Sequence, residues 1–72
     1  MEKNMDQDVF NMQLRKFLKN VGITSQRDIE SAVNKAIESG NLTAADSLSA
    51  QVEVNIPELD LKTKINGKIR LS

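Results

Sequence analysis

From Leu48 onward the chain alternates apolar and polar residues, and that alternation permits few folds. Leu48, Ala50, Val52, Val54 and Ile56 are separated by Ser49, Gln51, Glu53 and Asn55. After Pro57-Glu58-Leu59-Asp60 the pattern resumes, with Leu61, Thr63, Ile65, Gly67, Ile69 and Leu71 alternating with Lys62, Lys64, Asn66, Lys68 and Arg70. A period of two places one set of side chains on each face of a strand, so both segments read as half-buried strands. The joining turn decides which residues share a face. A turn at Pro57–Asp60 pairs Ile56 with Leu61, Val54 with Thr63, Val52 with Ile65, Ala50 with Gly67 and Leu48 with Ile69, and the apolar face stays continuous. A two-residue turn at Asn66-Gly67 would set Ile65 against Lys68 and Lys64 against Ile69, which is the signature of a one-residue register error. A three-residue loop Ile65-Asn66-Gly67 with a glycine bulge keeps the faces consistent, but exposes Ile65 and opposes Lys64 to Lys68. The favoured reading is one long hairpin, 48–56 with 61–71. It leaves Pro57 in the turn, where a missing N–H does no harm.

Upstream the period is 3.6. Phe10, Leu14, Phe17, Leu18 and Val21 form one helical stripe. The expected first helix runs from about residue 6 to 21, with Glu2, Asp6 and Asp8 at its start and Arg15, Lys16 and Lys19 toward its end, both placements favourable to the helix dipole. Gly22 is the expected left-handed stop, with Ile23 packing back on Leu18. A second helix, about 25–39, would be capped by Thr24 or Ser25, carry Ile29, Ala32, Val33, Ala36 and Ile37 on its apolar stripe, and end at Gly40. The segment "NLTAADSLS" is a connector anchored by Leu42. The expected fold is therefore α+β, a single domain over 1–72 in which a two-helix hairpin packs on one face of the long antiparallel β-hairpin, order ααββ.

Composition narrows the chemistry. The chain has no Cys and no His, so it lacks the thiolate and the imidazole that serve most often as nucleophile, general base and metal ligand. Ser25 consequently has no histidine to activate it. Asp28 and Glu30, two apart on a helix, do not share a face. Asp6 and Asp8 in "DQDVFN" lack the glycine and glutamate of a calcium loop and suit a helix N-terminus instead. We expect no catalysis, no metal and no cofactor. Ten basic and ten acidic residues balance to zero net charge, so no global field draws the chain to nucleic acid or membrane. The opening "MEKNMDQDVF" lacks the apolar run of a secretory signal, and no apolar stretch reaches membrane-spanning length, so the expected location is the cytoplasm.

The segments "RKFLKNVGITSQRDIESAV", "IPELDL" and "GKIRL" resemble a family of small bacterial proteins of about this chain's length, known only as a domain of unknown function. The resemblance covers nearly the whole chain and implies no activity, no ligand and no catalytic residue.

The expected function is a small non-catalytic interaction or structural module. A chain of 72 residues with no disulfide has little core to draw on, and oligomerisation is the natural remedy. The edges of the hairpin differ. Lys62, Lys64, Lys68 and Arg70 discourage pairing along the second strand and form a candidate interaction surface. The first strand carries only Glu53, so Gln51, Val52, Glu53 and Val54 are the expected edge of a homodimer. The alternative is a nucleic-acid-binding module. It would use the basic strand face, or Ser25, Gln26 and Arg27 at the start of the second helix, placed as in a helix-turn-helix.

Overall fold

A computed structural model describes residues 5–72. These residues form one helix, α1 (Gln7–Glu38), then two strands, β1 (Ser47–Ile56) and β2 (Leu61–Arg70), joined by a short 3₁₀ turn, Pro57–Leu59. It divides into two compact units after Ala36.

The helical unit begins with a cap. Oδ1 of Asp6 accepts hydrogen bonds from the backbone N–H groups of Asp8 at 3.0 Å and Val9 at 3.1 Å, and the Asp6 carbonyl accepts the first helical bond from Phe10 at 2.9 Å. The side chain thereby satisfies donors that a helix start otherwise leaves unpaired. Glu2, also expected at this start, lies outside the described residues.

The expected two-helix hairpin is not present. α1 passes through Gly22, Ile23, Thr24 and Ser25 without interruption, so Gly22 is not a stop and neither Thr24 nor Ser25 is a cap. The energetics favour continuity. Breaking the helix would leave four C=O groups on one side and four N–H groups on the other without helical partners. Carrying a glycine through costs only about 1 kcal/mol. The left-handed stop is Gly40, at φ 80°, whose N–H donates to the Ile37 carbonyl at 3.1 Å. A Cβ at Gly22 would meet nothing within 4 Å. Gly22→Ala is therefore expected to stabilise the helix by about 0.5–1 kcal/mol and raise its melting temperature. A left-handed glycine stop would give the opposite sign.

The connector is stitched at its end. Thr43 N–H donates to Asp46 Oδ2 at 2.9 Å, and Asp46 N–H donates to the Thr43 carbonyl at 3.1 Å. This tight turn delivers the chain to β1, and Leu42 beside it is half-buried.

The hairpin has the long register. Ile56 lies opposite Leu61, Val54 opposite Thr63, Val52 opposite Ile65, Ala50 opposite Gly67 and Leu48 opposite Ile69. The turn closes through Asp60, which adopts the left-handed conformation at φ 53° and donates its N–H to the Pro57 carbonyl at 3.0 Å. Aspartate tolerates that region better than most residues, because its short polar side chain bonds locally. Asn66 and Gly67 are ladder residues, not a second turn. Asn66 faces Gln51, whose Nε2 donates to Asn66 Oδ1 at 2.9 Å. The strands begin at Ser47 and end at Arg70, one residue earlier at each of these points than the alternation suggests.

Among the described residues no side chain is buried, although hydrophobic residues make up 39% of the chain.

Candidate functional site

Alternation sorts the hairpin into two unlike faces. One carries Leu48, Val52, Val54 and Ile56 with Leu61, Ile65 and Ile69 across the ladder. The other carries Ser47, Ser49, Gln51, Glu53 and Asn55 opposite Arg70, Lys68, Asn66, Lys64 and Lys62. The four basic residues singled out from the sequence thus share one face, and all are exposed. Their charge is partly answered there: Glu53 sits directly opposite Lys64, and the Nε and Nη2 of Arg70 donate to the Ser72 carbonyl at 3.2 and 3.1 Å. A shallow groove of about 430 Å³ opens around Gly67, lined by Ser49, Ala50, Gln51, Asn66 and Lys68. Lys68 is the ionisable residue of this lining.

The apolar face is open. Val52 is 41% exposed and Ile65 56% exposed, at the centre of the ladder. β1 and β2 form a two-stranded sheet, so each strand has one edge with no neighbouring strand among the described residues. The expected dimer edge, Gln51 to Val54, lies in the middle of β1.

α1 is equally open. Phe10, Phe17 and Leu18 stand 45%, 58% and 51% exposed. Because the helix is continuous, Ser25, Gln26 and Arg27 are interior helical residues and not the head of a recognition helix. Gln26 Nε2 instead donates to Glu30 Oε2 one turn on, at 3.3 Å. The second-helix route to nucleic acid is removed with the second helix.

Asp6 is occupied as a cap, and among the described residues no group of three or more His, Cys, Asp or Glu converges. Asp6→Ala is expected to cost about 0.5–2 kcal/mol of stability through loss of the cap, read as a lower melting temperature in buffer containing a chelator. No helix among the described residues is long and apolar enough to cross a membrane. Two local features escaped the sequence reading. The Thr43–Asp46 turn carries a Thr-x-x-Asp spacing that a search for caps would have found. The Gln51–Asn66 pair was implicit in the register.

Residues 5–72 match a family of unknown function, DUF6494. No curated protein and no solved structure matches the chain.

Proposed function

From the premise that the chain belongs to this family of unknown function, we propose that it is a non-catalytic structural module that works as a homodimer. The observation that carries this reading is the absence of any buried side chain among the described residues, in a chain whose helix and hairpin are both amphipathic. A two-stranded hairpin alone is marginal in water, and so is an isolated helix. Apolar faces of this kind mark sites of association. The lack of His and Cys, and the capping role of Asp6, support a role without catalysis.

The β1 edge fits a second copy of itself. Antiparallel pairing about Val52 sets Gln51 opposite the other copy's Glu53, Ala50 opposite Val54 and Leu48 opposite Ile56. Apolar residues meet apolar residues, polar meet polar, and the sheet grows to four strands. The lysines of β2 disfavour the same pairing there.

Sedimentation tests the reading: the expected mass is twice 8.0 kDa, and a monomer at high micromolar concentration overturns it. The edge is tested by Gln51→Glu. Two like-charge pairs, each costing about 0.2–1 kcal/mol, are expected to weaken the dimer by roughly 2–30-fold, with the loss reduced by salt.

The presence of Lys62, Lys64, Lys68 and Arg70 on one face favours nucleic-acid binding as a second reading. Against it stand the Glu53 opposite Lys64 and the lack of an interleaved aromatic for base stacking. A salt-dependent mobility shift on mixed DNA and RNA would decide for it.

A further inference from the structure

Asn66-Gly67 is a strong local turn signal, yet it lies within β2. The pair also has a reactivity of its own. The side-chain amide of an asparagine is open to attack by the backbone nitrogen of the next residue, and the attack is easiest where that residue has no side chain to obstruct it. Of the seven asparagines in the chain, only Asn66 precedes glycine; the others precede Met, Val, Lys, Leu or Ile.

We infer that Asn66-Gly67 is a site of spontaneous deamidation, and that pairing of the hairpin controls it. In this reaction the Gly67 nitrogen bonds to Cγ of Asn66 and the Cγ–Nδ2 bond breaks. The amide nitrogen leaves as ammonia, taking the proton of the Gly67 N–H, and a five-membered cyclic imide remains. Water is the only co-reactant and opens the ring. Cleavage of the imide bond at Cγ leaves an ordinary aspartate at position 66. Cleavage at the backbone carbonyl leaves an isoaspartate, with the main chain routed through Cβ.

Both the reactivity and the restraint are visible in the hairpin. Asn66 is exposed, and the groove around Gly67 is open to water. The ladder opposes ring closure. Asn66 faces Gln51 and Gly67 faces Ala50, so both residues are held extended. The Asn66 side chain stands across the strand direction, with its Oδ1 accepting from Gln51 Nε2 at 2.9 Å. Bringing the Gly67 nitrogen onto Cγ requires the peptide between them to rotate, which the paired strands resist. The reaction therefore proceeds from the opened hairpin, at a rate scaled by the fraction open.

The two products differ in consequence. An aspartate at 66 shares its face with Lys64 and Lys68, which offset its charge. An isoaspartate inserts an extra main-chain atom, so Gly67, Lys68, Ile69 and Arg70 lose their register with Ala50, Ser49, Leu48 and Ser47. This inference stands apart from the self-association proposed above and holds for a monomer or a dimer.

Peptide mass spectrometry tests it. The full chain is incubated at mildly alkaline pH in buffer and in urea, and aspartate and isoaspartate are quantified at each asparagine. Asn55 is the internal control, since it lies on the same face of the hairpin but precedes Ile56. In urea, conversion at Asn66 is expected to outrun that at Asn55; in buffer it should be slower than in urea by about tenfold or more. Gly67→Ala fits the strand, because a Cβ there meets nothing within 4 Å, and should bring the urea rate at Asn66 down toward that of Asn55. Conversion at Asn66 no faster than at Asn55 in urea, or unchanged by Gly67→Ala, overturns the site. Equal rates in buffer and urea overturn its control by strand pairing.

Discussion

Phe17→Asp is expected to convert the assembled protein into monomers. Phe17 is 58% exposed within the chain, and a substitution at such a position ordinarily changes stability by no more than about 0.5 kcal/mol. If the stripe of α1 is covered by a second copy, Phe17 is desolvated in the assembly. Removing a buried phenylalanine costs roughly 3–5 kcal/mol, and a carboxylate in its place adds an uncompensated charge. Two such sites per dimer should weaken association by at least about two orders of magnitude. The measurement is sedimentation over a concentration series, with the helical circular dichroism followed alongside. Unchanged mass and unchanged stability would show that this face of α1 is ordinary solvated surface.

The corresponding lesion in the hairpin is Ile65→Lys. Ile65 faces Val52 at the centre of the ladder and is 56% exposed. The register fixes its side, since neighbouring residues of a strand point to opposite faces. In a sheet whose apolar face is covered by assembly, lysine there should cost roughly 2–4 kcal/mol, read as a lower denaturation midpoint at fixed protein concentration. Lys68→Ala, on the polar face, serves as the control and should stay within about 0.5 kcal/mol. Equal, small effects at the two positions would mean that neither face of the hairpin is covered in solution.

Much of the hairpin was legible because its information is local and binary. A period of two admits only registers of one parity, and a proline fixes φ and withholds an N–H. Those two facts excluded the two-residue turn at Asn66-Gly67, although Asn-Gly is the strongest short hairpin signal. The helix start was legible because acidic residues ahead of an apolar stripe complement the helix dipole, although the capping bonds of Asp6 were not read. The basic residues of β2 could be assigned to one face from parity alone, and they lie on one face.

The course of the chain through Gly22 was not legible. A glycine followed by Ile23, Thr24 and Ser25 carries the same local signals whether it ends a helix or lies within one. The outcome depends on a difference of about 1 kcal/mol against the loss of helical bonds on both sides. Local sequence does not contain that balance. It is set by whether both halves are held in one helix, and only the three-dimensional structure shows that they are. Asp60 is a similar case: its left-handed φ follows from the geometry that closes the four-residue turn, not from any feature of aspartate that compels it. The sequence by itself determined the alternation of the strands and placed Asp6 at the helix start, because each is set by nearest neighbours; the structure decided between the long hairpin and the three-residue loop at Ile65-Asn66-Gly67 and showed Asp6 to be a cap. Tertiary structure decided that the helical region is one element of 32 residues, because cooperativity along a helix is summed over its whole length and no single turn records it.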